Sequence, residues 1–190
     1  LRYFNPIGAH ESGLIGEVVD VEASLSKLWD DNLSLREFDV QQAGGSFYEL
    51  GSYPLLPIIK LLGTTYNRLS LYSRMKNGVD MYTKGIVHYD KAICSFQVGL
   101  GVKTEGNLVI SGTKGYAYVP APWWKTDFFE LRYENQNDNK KFFYKWDGAG
   151  LRYEIQEFIS SIVNHRHSSA RLRIQDSICM AEIMQQFTER

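Results

Sequence analysis

The chain has 190 residues, enough for one well-buried core and too few for two full-sized domains. At 44% hydrophobic, 23% charged and 14% aromatic, its composition is that of an ordinary globular protein. A formal net charge of -1 gives no global field favouring nucleic acid or an anionic membrane, and no apolar run is long enough to span a bilayer, so neither partner is expected.

The first ten residues lack the basic start and apolar stretch of a signal peptide, so a cytoplasmic protein is expected. The missing initiator Met points to a fragment or a processed chain. From Val18 to Leu28 the residues alternate, with Val19, Val21, Ala23 and Leu25 on one face and Asp20, Glu22, Ser24 and Ser26 on the other. That is the period of a strand with one buried face. A polar connection runs to Gln42. Gly44-Gly45 then marks a turn, Ser46 is placed to cap a helix, and Gly63 to stop it. Pro54 and Pro57 each remove a backbone donor, which predicts a kink or a restart near Tyr53.

Strands come next: Leu69 to Met75, a turn at Asn77-Gly78, then Val79 to Tyr89 and Lys91 to Leu100 around Asp90. On the last of these Ala92, Cys94, Phe96, Val98 and Leu100 share a face, with Ile93 an apolar exception on the other. Asn107 to Ser111 and Tyr116 to Val119 flank Gly112-Thr113-Lys114-Gly115, and Phe128 to Tyr133 and Lys141 to Lys145 flank a polar loop. Two helices close the chain, with stripes at Leu151, Ile155, Phe158, Ile159, Ile162 and Val163, and at Ile174, Ile178 and Ala181, which Met184 and Phe187 roughly continue. The pattern is α+β: a large, mostly antiparallel, open-faced sheet with helices packed on one face. Met81, Tyr82 and Ile93 put apolar content where alternation predicts polar residues, so the second face is covered by another copy of the chain or by parts of another domain. Cys94 and Cys179, far apart and without metal or redox spacing, read as reduced buried thiols. His165 and His167 lack further ligand-type neighbours, so no metal site is expected.

Chemistry concentrates between Gly44 and Gly63. Glu49 and Tyr53 are four apart and share a face on helical geometry, where a carboxylate beside a phenol can orient a hydroxyl and pass its proton. Gly51 between them permits a close backbone approach. A phenol with an ordinary pKa of about 10 needs a neighbouring cation to act as a base, and no nearby Lys or Arg supplies one. The alternative is that Tyr53 packs in the core and Glu49 faces solvent. Lys27 and Trp29 at the end of the first strand, and Trp124 in a Pro-flanked loop, are candidates to line a substrate cleft. Trp123-Trp124 could equally pin that loop to the core. Arg166, Arg171 and Arg173, with His165 and His167, read first as a solvated helix connection and second as a site for a phosphate or an anionic sugar.

Several segments, in order, resemble one family. "SGLIGEVVDVEASL" looks like a domain-crossing helix end and first long strand, and "GGSFYELGSYPLLPIIKLLG" like a Gly-Gly-Gly-x-x-x-Asp-x-Gly-x-His/Tyr motif with its helix. "VISGTKGYAYV" looks like a Gly-x-x-Gly strand turn, and "YEIQEFISSIVN" and "SICMAEIMQQF" like two closing helices. From about residue 12 to 187 the chain thus resembles the C-terminal domain of the glucose–fructose oxidoreductase and inositol dehydrogenase (Gfo/Idh/MocA) superfamily. The resemblance implies a substrate-binding and oligomerising domain, residues 18–190, of an NAD(P)-dependent oxidoreductase acting on a sugar or polyol. It implies an N-terminal Rossmann domain whose Glu-Lys-Pro segment supplies the missing cation, and a homo-oligomer formed through the open sheet face. Tyr53 stands where the family places its proton-transferring His or Tyr. Glu49 stands where Asp is usual, one methylene longer. The chain has no dinucleotide fingerprint, since Gly99-Leu100-Gly101 lacks the third glycine and a following helix pattern, so by itself it is expected to bind no cofactor and to be inactive. The alternative is a non-catalytic sugar-binding or oligomerisation module of the same fold.

Residues 1–17, "LRYFNPIGAHESGLIGE", resemble instead a segment of UDP-glucose 4-epimerase, with Asn5 at a nucleotide-sugar-binding position. This suggests a junction between Gly8 and Glu17, and a chimaeric fragment as a further alternative.

Overall fold

The computed structural model describes residues 13–28, 35–145, 148, 150–169 and 171–189. Eight strands form one sheet: β1 (Val18–Lys27), β2 (Arg68–Lys76), β3 (Val79–His88), β4 (Ile93–Leu100), β5 (Leu108–Gly112), β6 (Tyr116–Val119), β7 (Phe128–Arg132) and β8 (Lys140–Phe143). Their order is β2-β3-β4-β1-β5-β6-β7-β8. β1 runs parallel to β4, with Glu22 opposite Ser95 and Lys27 opposite Leu100, and every other neighbouring pair is antiparallel. The fold is the α+β architecture expected. At the β2–β3 turn Asn77 and Gly78 both have positive φ, 52° and 84°, the two-residue geometry whose twist matches the flanking strands.

The buried face is built by alternation. Val21, Ala23 and Leu25 of β1 lie beside Cys94, Phe96 and Val98 of β4 on one side and Leu108 and Ile110 of β5 on the other, all at most 4% exposed. Both cysteines are free and buried, and burial pushes the Cys94 thiol up to about 12, which leaves it protonated and inert. Ile93, as its odd register demands, faces outward at 56% exposed. Two details of β1 depart from expectation. The β1–β5 register shifts between Val18 and Asp20, and Val19, expected inside, is exposed. Ser24 and Ser26, expected in solvent, are buried because the segment before β5 folds over them. Ser24 Oγ accepts the Gly106 N–H at 3.0 Å, and Ser26 Oγ accepts the Thr104 N–H at 2.7 Å.

Four helices complete the fold: α1 (Ser46–Leu50), α2 (Ser52–Leu62), α3 (Leu151–Val163) and α4 (Ile174–Thr188). The break between α1 and α2 falls at Gly51, two residues before Tyr53, as the prolines predict. Phe47, Leu50, Leu55, Ile58 and Ile59 pack on the sheet at no more than 1% exposed. α4 lies beside α2: Lys60 Nζ reaches Asp176 Oδ2 at 3.1 Å, and the Phe187 ring packs against Phe47, tilted by 36° with centroids 4.6 Å apart. The inward side of α4 is Cys179 and Ile183, so Ile174 and Ile178 of the expected stripe point outward, about half exposed, whereas Met184 and Phe187 at its far end pack against the core. The apolar stripe of α3 is exposed too, from Leu151 at 61% to Val163 at 69%. Its periodicity is helical, but that face does not belong to this core.

Candidate functional site

The segment carrying Glu49 and Tyr53 is fixed from the sheet. Ser46 does not cap α1. The N-cap is Gly45, which has no side chain to do so, and Asp80 of β3 takes over. Asp80 Oδ2 accepts the Phe47 N–H at 2.9 Å, the Ser46 hydroxyl at 2.5 Å and the Thr83 hydroxyl at 2.6 Å. With the Thr83 proton committed to Asp80, Ser73 donates its own to Thr83 Oγ1 at 2.8 Å. A carboxylate at a helix start is favoured by the free N–H groups there. Gly45, at φ 120°, is needed for space, because a Cβ would collide with Asp80 Oδ1. Desolvation by burial nevertheless pushes the Asp80 carboxyl up, against the hydrogen bonds from Ser46, Thr83 and Phe47.

Tyr53, 47% exposed, opens onto a cavity of about 620 Å³. Leu108 and Val119 of the sheet and Leu56 of α2 give it apolar walls. Trp123 and Trp124 close one side. α3, residues 166–169, Arg171 and Leu172 close another. Trp123 does pin its loop: the indole N–H donates to the Ser24 carbonyl at 3.0 Å and the ring is buried. Trp124 stands perpendicular to it, centroids 6.0 Å apart, half-buried against the cavity. The polar wall centres on Glu157. Arg166 Nη2 lies 3.6 Å from Glu157 Oε1 and Arg171 Nε lies 3.5 Å from Glu157 Oε2, while the Ser169 hydroxyl donates to Oε1 at 2.9 Å.

The structure brings together two of the six residues singled out in the sequence, Tyr53 and Trp124, on this one cavity. Glu49 is not on its lining, and its carboxylate is held by Arg36 Nη2 at 2.6 Å. The helical spacing is nearly kept through Gly51, but an arginine from the preceding connection draws the acid away. Gly51 serves an internal approach rather than an external one: a Cβ there would meet the Phe47 carbonyl oxygen at 2.5 Å and the Phe47 ring at 2.8 Å. Lys27 is exposed at the end of β1, where its carbonyl accepts the Gly101 N–H at 2.9 Å, and it does not line the cavity. Trp29, like Asn5 and the rest of the epimerase-like start to residue 12, lies outside the described residues. Of the basic cluster, Arg166, His167 and Arg171 line the cavity, whereas Arg173 pairs with Asp176 at 2.7 Å. Asp80 and Glu157 were missed. The signal for Asp80 was an acid next to Val79 and Met81 on a strand otherwise read as apolar.

A profile of the GFO/IDH/MocA C-terminal domain matches residues 9–118, more than half of the chain. The chain belongs to the GFO/IDH/MocA family. Trans-1,2-dihydrobenzene-1,2-diol dehydrogenase of Oryctolagus cuniculus is 27% identical over 97% of this chain, and that of Bos taurus 26% over 97%. The chain spans 59% and 58% of those relatives' own length. Among solved structures, a 3-ketoreductase from Actinomadura kijaniata, in complex with NADP and TDP-benzene, superposes with a TM-score of 0.75 at 13% identity, over 94% of this chain and 55% of that one. UDP-N-acetylglucosamine 3-dehydrogenase from Acidithiobacillus ferrooxidans superposes with a TM-score of 0.72 at 14% identity, over 97% and 55%. These last two share the fold.

This GFO/IDH/MocA chain offers no dinucleotide cradle of the Rossmann kind among the described residues. Gly99-Leu100-Gly101 ends β4 and leads into a loop to β5, not into a helix whose N-terminus could receive a pyrophosphate. A Cβ at Gly99 would collide with Val102, so that glycine serves internal packing. Among the described residues no helix is long and apolar enough to cross a membrane.

Proposed function

We propose that this chain is the substrate-side domain of an NAD(P)-dependent oxidoreductase that interconverts a secondary alcohol and a ketone on a sugar- or polyol-type substrate. The carrying observation is Tyr53, a phenol on a helix anchored to the sheet, facing a 620 Å³ cavity with apolar walls and an indole beside it. The names of the relatives support the class, since each describes a dehydrogenase or a ketoreductase. Cofactor chemistry on this reading would be supplied by a Rossmann domain of the intact protein, a reading supported by the NADP named with the 3-ketoreductase that shares the fold. What this chain contributes is binding and a proton. Trp124 and the apolar walls hold the substrate ring and exclude water. In oxidation Tyr53, as the phenolate that a cation of the implied Rossmann domain would stabilise, takes the proton of the reacting C–OH, and in reduction the protonated phenol gives it to the carbonyl oxygen. Glu49 acts at one remove, through Arg36 and the α1–α2 turn.

The open sheet face, with Tyr72 65% and Ile93 56% exposed, is proposed as a contact between two copies, which light scattering on the protein and on a Tyr72→Glu, Ile93→Glu variant tests.

The decisive experiment for catalysis is Tyr53→Phe in the full-length protein, assayed for NAD(P)-linked turnover of vicinal diols and sugars. The expected loss in kcat is roughly a hundredfold or more with ligand affinity retained. Unchanged turnover would leave a non-catalytic binding module.

A further inference from the structure

We propose that the Tyr53 cavity is selective for a substrate carrying an oxyanion, a carboxylate or a phosphate ester, bound by Arg166 and Arg171 while the reacting carbinol lies at Tyr53. This rests on the redox reading above for the role of Tyr53, but the anion site stands on its own observations. The charged lining is unbalanced: Lys125, Arg166 and Arg171 face Glu154 and Glu157. Glu157 is shared between both arginines at 3.5 and 3.6 Å, beyond hydrogen-bonding distance, so it offsets their charge without filling their donor sites. Arg166 is the telling residue. Its backbone N–H closes the end of α3 on the Ser161 carbonyl at 2.8 Å, and Nη2 donates to Ser160 Oγ at 3.0 Å. A purely structural role accounts for those two contacts. It does not account for Nε, which is buried and has no acceptor among the described residues.

A guanidinium takes a carboxylate or phosphate through two parallel bonds; Arg166 Nε is closed off as the side chain stands, so that edge serves a ligand once the guanidinium turns toward the cavity. Leu56, Leu108 and Val119 make the surroundings apolar, which strengthens the attraction above its value in water. Tyr53 and both arginines line the same cavity, so one ligand can span them.

The test is a titration of the full-length protein with glucose, glucuronate and glucose 6-phosphate at constant ionic strength, read by tryptophan fluorescence because Trp123 and Trp124 line the cavity. Glucuronate or glucose 6-phosphate should bind roughly tenfold or more tightly than glucose. Arg166→Gln and Arg171→Gln should remove that preference, with Arg166→Lys restoring only part of it. Preference for glucuronate assigns a sugar acid and preference for the phosphate assigns a phosphate ester; either supports the proposal. Equal affinity for all three ligands, a preference unchanged in the Gln variants, or an Arg-dependent response to NADP alone overturns it. Thermal melts of the variants show whether they fold, and Arg166→Lys carries the test if the Gln variant does not. The two readings fail separately. Arg-dependent binding without turnover removes the redox role of Tyr53 and leaves the anion site. Tyr53-dependent turnover of sugars without an anion preference does the reverse.

Discussion

Asp80 and Phe47, 33 residues apart in sequence, are joined by a hydrogen bond from the Phe47 backbone N–H to Asp80 Oδ2 at 2.9 Å. The cap of the helix leading to Tyr53 therefore comes from a strand rather than from the residue before the helix. A local cap sets only where a helix begins; this one also sets where it sits on the sheet. Replacing Asp80 by Ala leaves the Phe47 N–H and the Ser46 hydroxyl buried with lost partners, and should cost roughly 2–3 kcal/mol in urea unfolding. A loss below about 0.5 kcal/mol would show that the cap does not hold the segment.

Gly51→Ala reverses the usual sign of that exchange. In an exposed helix Ala is better than Gly by up to about 1 kcal/mol. Here the new methyl meets the Phe47 carbonyl oxygen and ring at 2.5 and 2.8 Å, so the variant should lose roughly 1–3 kcal/mol. A gain in stability would mean that the α1–α2 turn gives way freely.

Glu49→Gln keeps the shape and removes the charge that Arg36 binds. The arginine side of the pair is exposed, so little change in stability is expected. Turnover should fall far less than in Tyr53→Phe. A Gln variant as inactive as the Phe variant would return Glu49 to the reacting group.

Asp176 gives a pH dependence. Burial pushes its carboxyl up, but the hydrogen bonds from Arg173 and Lys60 outweigh this and hold it below the ordinary 3.8. A carboxyl lowered in the folded state stabilises fully above its unfolded value, and that contribution disappears as pH falls through the folded value. Urea midpoints tracked from about pH 5 to about pH 2 should fall more steeply for the native chain than for Asp176→Asn. Parallel curves would mean that the contacts of Asp176 with Arg173 and Lys60 together contribute nothing.

Alternation carried the sheet well. Cys94, Phe96, Val98 and Leu100 are buried as their period requires, and Ile93 is outside for the same reason. Where reading the sequence erred, the cause was information that local pattern lacks. The register shift beside Val18 exposes Val19, and a bulge leaves no mark on hydropathy. The stripes on α3 and α4 gave the right periods but not the surface each face meets. Ile178 was legible as apolar and illegible as outward, and Phe158 as apolar but not as a wall of the Tyr53 cavity. Tyr53 and Glu49 were both singled out by spacing and by the motif, but neither signal reveals that the arginine partner of Glu49 lies 13 residues upstream, beyond any helical period.

Tyr53 and Arg166 share a cavity but not a foundation. The tyrosine stands on α2, whose approach is tethered to β3 by Asp80, whereas the arginine stands at the end of α3, whose outer stripe is largely exposed. On the proposed roles, reactivity and choice of ligand are carried by separable pieces of the chain. Substitutions along α3 and its exit would then retarget ligand choice while the Tyr53 segment stays fixed, a division of labour that would let one chemical step be offered to many substrates.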